Sequence, residues 1–164
     1  RKHDLARVVA DSFAGLDLPK TLAVAESCTG GLIGSMLTDI SGVSAWFIES
    51  AVCYANDAKV RRLGVPEGTL MEHGAVSEAT AIAMAEGIRS RAGADIGIAT
   101  TGIAGPTGGT PDKPVGTIHV ALAHSTGTDH RLLKLSFGRS RNRTLTAWAA
   151  LDMLRRHLQV QSAA

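Results

Sequence analysis

Residues 22–37 read LAVAESCTGGLIGSML, an apolar run, a turn of small residues and a second apolar run. The first run is typical of a short buried strand, and the second has helical character. The stretch therefore predicts strand, tight turn and helix, the repeating unit of an α/β fold. Such a turn sets the Ser27 hydroxyl at the edge of a sheet, beside the free N–H groups that begin a helix. The segment thus offers a nucleophile and an anion site in one place.

Helical and strand-like patterns alternate along the rest of the chain. We predict helices at 3–15, 30–40, 57–64, 66–73, 77–92 and 140–158, and strands at 21–25, 46–54, 95–100, 115–123 and 130–137. Asn56 is predicted as an N-cap, and residues 101–114, rich in Gly and Pro, as a long loop. The turn at 125–129 predicts an antiparallel hairpin. This order indicates an α/β domain of three layers with a mixed sheet.

Composition favours one ordinary globular domain over residues 1–164. Net charge is +2 and aromatic residues make up 4% of the chain, which excludes a basic or base-stacking nucleic-acid surface. Two cysteines predict no disulfide framework and fit a reducing compartment. No apolar run reaches membrane-spanning length, and the N-terminus does not resemble a signal peptide. We therefore expect a cytoplasmic protein without direct contact to nucleic acid or membrane.

A serine nucleophile needs a base, and the segment Tyr54-Ala55-Asn56-Asp57-Ala58-Lys59 offers one. A strand-to-helix turn there would bring Tyr54 and Lys59 to the same sheet edge as Ser27. Lys59 can act as a base if burial lowers its pKa, and the Tyr54 hydroxyl can relay a proton or donate to a substrate.

A third segment, Thr100-Thr101-Gly102-Ile103-Ala104-Gly105-Pro106, also follows a predicted strand. Ligands of α/β sheets bind outside the carboxyl ends of the strands, so three such loops would form one pocket. The arginines near the start of the last helix suit a single phosphate.

Each candidate also has a purely structural interpretation. Ser27 can serve only as a helix cap, Cys28 as a small buried apolar residue, and Lys59 as a solvated helix residue. Glu26 can pair with a nearby cation. No phosphate-loop, dinucleotide or zinc-ligand motif is present, so neither a metal site nor a cofactor is expected.

Five ordered segments resemble the C-terminal domain family of the competence/damage-inducible protein CinA. They are AESCTGG at 25–31, YANDAK at 54–59, HGAVSE at 73–78, TGIAGP at 101–106 and KPVGT at 113–117. The resemblance covers nearly the whole chain. It implies a three-layer α/β/α sandwich with a mixed, mostly parallel sheet, and a homo-oligomer. The Ala-rich helix at 77–92 is a candidate for close packing between subunits.

The resemblance also implies an activity, the hydrolysis of the carboxamide of nicotinamide mononucleotide to nicotinate mononucleotide and ammonia, without metal. It makes Ser27 the nucleophile, Lys59 the base and Tyr54 the partner of Lys59. The substrate would contact the turn and the third loop, and an arginine would hold its phosphate. These expected substrate-binding residues are Cys28, Thr29, Gly30, Gly31, Thr101, Gly102, Arg139 and Arg141, with Arg139 favoured over Arg141 for the phosphate. Amides between Cys28 and Gly31 would stabilise the oxyanion.

Two segments differ from the family pattern. Residues 49–51 read Glu-Ser-Ala where the family is often glycine-rich, and Gly138-Arg139-Ser140 lacks the Asp that often follows the glycine. Two other hypotheses stay open. One is a nucleotide-binding module without turnover that acts in competence or the DNA-damage response, and the other is cysteine chemistry at Cys28.

Overall fold

A five-stranded mixed sheet forms the centre of the molecule in a computed structural model, which describes the backbone of residues 2–162 and the side chains of 5–162. The strand order is β2-β1-β3-β4-β5. The strands are β1 Leu22–Glu26, β2 Phe47–Val52, β3 Ile96–Gly102, β4 Thr117–His124 and β5 Gly127–Lys134. Strands β2, β1 and β3 pair in parallel, whereas β4 pairs antiparallel with both β3 and β5. The predicted α/β fold with a mixed sheet is confirmed, and its parallel half carries Ser27.

Helices cover both faces of this sheet. They are α1 Lys2–Ala14, α2 Leu32–Thr38, α3 Asn56–Leu63, α4 Glu67–His73, α5 Glu78–Ala92 and α6 Arg139–Ser162, with a 3₁₀ turn at Val43–Ala45. None of these helices, in the range 2–162, is long and apolar enough to cross a membrane.

Strand β1 lies between two hydrophobic cores because successive side chains point to opposite faces. Leu22 and Val24 pack in the core formed with α1, α2 and α6, and Ala23 and Ala25 pack in the core formed with α3 and α5. All five residues of β1 are buried, which explains the unbroken apolar run from Leu22 to Ala25.

The small residues of α5 pack against the chain's own core. Ala81 and Ala85 are fully buried in the second core, where α5 lies against β3 and β4. The face of α5 that carries these two alanines is therefore occupied by the chain's own sheet, and packing of this helix between subunits stays a prediction.

Two local predictions are also wrong. Asn56 is the first residue of α3 rather than its cap, because Ala55 takes the extended cap conformation and its carbonyl accepts from the Lys59 N–H. Thr101 and Gly102 belong to β3 rather than to the following loop, since they pair with His119 and Ile118 of β4. The predicted hairpin is confirmed, with a two-residue turn between His124 and Gly127.

Candidate active site

Ser27 and Lys59 meet at the carboxyl edge of the parallel strands. Ser27 directly follows β1, and Lys59 lies in the first turn of α3, which begins soon after β2. The Lys59 Nζ lies 3.1 Å from the Ser27 Oγ and donates to the Tyr54 carbonyl at 2.7 Å. Lys59 is 1% exposed, so this amine faces the protein rather than solvent.

Burial lowers the pKa of Lys59, because a buried ammonium loses its hydration. The Cys53 and Cys28 thiols oppose this effect only in part. Among the residues with described side chains, Lys59 forms no salt bridge that would hold it charged. A neutral lysine amine at hydrogen-bond distance from a hydroxyl can take its proton.

Tyr54 contacts Lys59 through its main-chain carbonyl. Its carbonyl accepts from Lys59, whereas its hydroxyl accepts from the Arg139 Nη2 at 2.9 Å. The Tyr54 side chain is 56% exposed. The hydroxyl thus lies beside Arg139, and Lys59 contacts the Tyr54 carbonyl rather than the hydroxyl, whose contact with a ligand stays a prediction.

Glu26 holds the turn that follows β1. Its carboxylate is fully buried and accepts from the N–H groups of Gly31 at 3.1 Å, Ile33 at 3.1 Å and Gly34 at 2.9 Å. The Ser50 hydroxyl donates to the same carboxylate at 2.7 Å. Glu26 therefore caps the beginning of α2, and it forms no ion pair with a cation among the residues with described side chains. Ser50, from the neighbouring strand β2, supplies the remaining donor.

The hydrogen bonds to Glu26 reduce the number of N–H groups in the turn that are available to an oxyanion. The Gly31 N–H donates to Glu26, and the Gly30 N–H donates to the Ser27 carbonyl at 3.1 Å. Within residues 2–162, the N–H groups of Cys28 and Thr29 have no main-chain or side-chain acceptor outside their own residue. The amides of the two glycines are engaged and those of Cys28 and Thr29 are not, and the expected oxyanion role of this turn stays a prediction.

Cys28 is unsuited to nucleophilic chemistry in this setting. It is 4% exposed, and burial raises the pKa of its thiol to about 12. The thiolate is the nucleophilic form of cysteine, so a neutral buried thiol is inert. The neighbouring Thr29 hydroxyl pairs with the Thr100 hydroxyl at 2.8 Å and ties the turn to β3.

Thr101 and Gly102 have structural tasks at the end of β3. The Thr101 hydroxyl donates to the Ala75 carbonyl at 2.7 Å. A Cβ on Gly102 would lie 2.5 Å from the Ile118 side chain, so only glycine fits there. Their expected contact with a substrate stays a prediction.

The three arginines at the beginning of α6 separate into two groups. Arg139 donates to the Gly105 carbonyl at 2.9 Å and to Tyr54, and Arg143 donates to the Thr29 carbonyl at 2.8 Å. Arg141 instead lies over the Phe137 ring, 4.2 Å from its centroid, and makes none of these contacts. Sequence reasoning did not select Arg143, although its i,i+4 spacing from Arg139 places the two on one helix face.

Asn142 is a second residue that sequence reasoning missed. It is fully buried, and its amide donates to the carbonyls of Ala104 at 3.0 Å and Phe137 at 2.8 Å. Asn142 thus fastens the beginning of α6 to the loop after β3, which positions Arg139 and Arg143.

Comparison with known proteins identifies the family. A family model described as the CinA C-terminal domain matches residues 2–158. The chain belongs to this family. A putative competence-damage inducible protein from Acetivibrio thermocellus is 56% identical over 138 residues, and a CinA-like protein from Geobacter metallireducens is 58% identical over the same length. Each alignment covers 84% of this chain but 33% of the relative, so the chain spans about a third of these CinA proteins.

Solved structures of CinA proteins share the fold over nearly their full length. The competence/damage inducible protein from Agrobacterium tumefaciens has a TM-score of 0.88 at 42% identity, with 96% of this chain and 95% of that chain covered. A CinA superfamily protein from Klebsiella pneumoniae has a TM-score of 0.90 at 32% identity, with 97% and 98% covered. The CinA fold therefore includes the sheet edge that carries Ser27 and Lys59.

Proposed function

We propose that this CinA domain is a metal-independent serine amidohydrolase that acts on nicotinamide mononucleotide. The observation that carries the proposal is the buried Lys59 amine, 3.1 Å from the Ser27 hydroxyl. Burying a lysine is unfavourable, and buried groups with shifted pKa values cluster at functional sites. The substrate is inferred from the family resemblance, and the reaction mechanism is inferred from the geometry of Ser27 and Lys59.

The reaction begins with proton transfer from Ser27 to the neutral amine of Lys59. The Ser27 Oγ then attacks the carboxamide carbon, and the amides of Cys28 and Thr29 donate to the oxyanion. One such donor typically contributes about 3 kcal/mol of transition-state stabilisation. The Lys59 ammonium returns the proton to the leaving nitrogen, which departs as ammonia. Lys59 then takes a proton from water, whose oxygen attacks the acyl carbon. As the bond to Ser27 breaks and nicotinate mononucleotide leaves, Lys59 returns this proton to the Ser27 Oγ.

The phosphate of the substrate is assigned to Arg139 and Arg143. Both guanidinium groups lie beside the turn and the loop after β3, and both donate to main-chain carbonyls there. An arginine offers several N–H donors, so it can hold a phosphate in addition to a carbonyl. Because α2 is already capped by Glu26, its N-terminus is not assigned to this anion.

Ammonia release from nicotinamide mononucleotide tests the proposal. We expect turnover by the wild type and a loss of at least about 10³-fold in Ser27→Ala, because the nucleophile is removed. Cys28→Ala is the matched control and should retain activity. Activity in Ser27→Ala together with its loss in Cys28→Ala would move the nucleophile to the thiol. Saturable binding of the nucleotide without ammonia release would instead establish a binding module without turnover.

A further inference from the structure

Three side chains of types that ligate metals lie close together at the end of the sheet opposite to Ser27. His124 ends β4, Asp129 lies in β5 and His157 lies in α6. One ligand atom from each residue lies within 4.8 Å of the others. The His124 Nε2 and an Asp129 carboxylate oxygen are 3.3 Å apart, and the two imidazole rings are 4.8 Å apart between centroids.

The His124 ring is held in an orientation suited to ligation. Its Nδ1 lies 3.1 Å from the Thr126 hydroxyl and 3.3 Å from the Thr126 N–H. Because the Thr126 N–H donates to Nδ1, the ring proton lies on Nε2 and points toward Asp129. The Thr126 contact fixes the ring, and a metal bound at Nε2 would displace that proton, as metal binding to histidine requires.

The surrounding charges leave the three ligands available. In the described part of the chain, Asp129 has no lysine or arginine partner, and its one ion-pair contact is His124. Lys20 and Arg89 line the same pocket as His124 and His157, but Lys20 donates to the Gln161 side chain at 2.6 Å and Arg89 to the Asp95 carbonyl at 2.8 Å.

We propose that His124, Asp129 and His157 bind one divalent transition-metal ion of the zinc class. Two imidazoles and one carboxylate are donors that Zn²⁺ accepts, and three protein ligands leave a position for water. Ligand atoms around a tetrahedral zinc lie about 3.4 Å apart, since each is about 2.1 Å from the ion. A movement of about 1 Å by the side chains, including the exposed Asp129, would bring the three ligand atoms to this spacing. The ion would join the β4–β5 hairpin to α6.

Sequence motifs do not reveal this site because its ligands are spread over 124–157 without a recognised spacing. His124 and His157 become neighbours only through the packing of α6 over the sheet. The site is separate from Ser27, so the proposed amidase activity and the metal site can each fail without the other.

Titration of the tag-free, chelator-treated chain with Zn²⁺ tests the proposal. Calorimetry and metal analysis should give one ion per chain, and the ion should raise Tm because it binds the folded state. In Asp129→Asn and in His157→Gln we expect at least tenfold weaker binding and a smaller rise in Tm. His73→Gln removes an exposed histidine elsewhere and should bind as the wild type does.

A second measurement uses Co²⁺ as a spectroscopic probe. The wild type should develop visible absorption bands of a nitrogen- and oxygen-ligated ion, and the His124→Gln/His157→Gln double variant should not. Far-UV circular dichroism shows whether each variant is folded. The proposal is overturned if the folded wild type binds no stoichiometric ion, or if the folded double variant binds as tightly as His73→Gln.

Discussion

Lys59 is the residue at which stability and proposed chemistry conflict. Its amine is buried beside a hydroxyl and a carbonyl, without a counter-ion in the described part of the chain. Such a position costs folding free energy whenever the amine is charged. The fold retains an unfavourable group at the point where a base is needed, as expected of an active site.

Lys59→Met tests this conflict directly. We expect the ammonia-releasing activity to fall by at least about 10²-fold, because the base is lost. The free energy of unfolding should stay equal or rise, because an apolar side chain of similar length replaces a buried amine. Urea denaturation measures the second effect. Unchanged activity would remove Lys59 as the base, whereas loss of activity with a collapse of stability would make its role structural.

The dependence of activity on pH has a defined sign. The protonated lysine cannot act as a base, so kcat/KM should rise with pH through the Lys59 pKa, below the usual lysine value of about 10.4. Cys28, whose pKa is raised to about 12, does not titrate in that interval. Between the folded and unfolded pKa values of Lys59 the unfolded chain binds more protons, so this residue makes stability rise with pH there. Lys59→Met should remove that contribution to stability.

Arg139 and Arg141 provide a matched pair for the phosphate assignment. Arg139→Gln should raise KM for nicotinamide mononucleotide by at least about tenfold, because a charge-assisted contact is worth 1.4 kcal/mol or more. Arg141→Gln should change KM little, since Arg141 lies over Phe137. Nicotinamide riboside, which lacks the phosphate, should show no such loss with Arg139→Gln. A larger effect at Arg141 would reverse the assignment.

At the scale of elements, the position of α3 depends on its close approach to α5. A Cβ on Gly87 of α5 would lie 2.0 Å from the Leu63 carbonyl oxygen at the end of α3. That oxygen belongs to the main chain, so the helices must separate to accommodate any side chain. The helix that carries Lys59 is therefore placed by a glycine on its neighbour.

Gly87→Ala should lower the free energy of unfolding by about 1–3 kcal/mol, because the added methyl forces the two helices apart. It should also lower ammonia release by displacing Lys59. Gly68→Ala in α4 is the control, since nothing lies within 4 Å of its added Cβ. Denaturant unfolding of both variants measures the difference. Equal stability of the two would show that α3 and α5 accommodate the methyl without cost.

The elements themselves were predictable because each has a local signal. Apolar periodicity located the strands and helices, and glycines marked the ends of α3 and α5. The N-cap of α3 was mispredicted because the preference for Asn at caps is weaker than the position set by β2 and its turn. Thr101 and Gly102 were placed outside β3 because pairing with β4, a contact distant in sequence, extends that strand.

The site was predictable only in part. Ser27 and Lys59 follow strands that parallel pairing brings to one edge, so their convergence could be expected. The cap made by Glu26 depends on Ser50 of the neighbouring strand, and the contact of Arg143 joins residues 114 positions apart. No local pattern encodes such pairs. The proximity of His124 and His157 was not predicted, because these two residues are also distant in sequence.

At the scale of the whole molecule, the sheet separates two cores that support different parts of the site. The core with α1 and α6 lies beneath the arginines, whereas the core with α3 and α5 lies beneath Lys59. Leu151, fully buried in the first core, is far along α6 from Arg139. A loss of packing there should affect the stability of the molecule more than its chemistry.

Leu151→Ala should lower the free energy of unfolding by about 2–5 kcal/mol, the usual cost of such a cavity. Tm should fall by about 2–4 °C for each kcal/mol in a chain of this size. The activity of the folded enzyme at 25 °C should stay within about twofold of the wild type. Calorimetry and the ammonia assay measure the two quantities. A proportionate loss of activity would show that the cores and the site are coupled.

The hydrogen bonds of the Glu26 carboxylate also determine how rigid the turn is before a ligand binds. Because this carboxylate already holds the three amides at the beginning of α2, the turn keeps its shape whether or not a ligand is present. The entropy of ordering that turn is lost when the chain folds, rather than when the ligand associates. On the proposed function, the nucleotide would meet a preorganised surface, and a crystal structure with ligand should superpose on the free form along 26–34 to within about 1 Å.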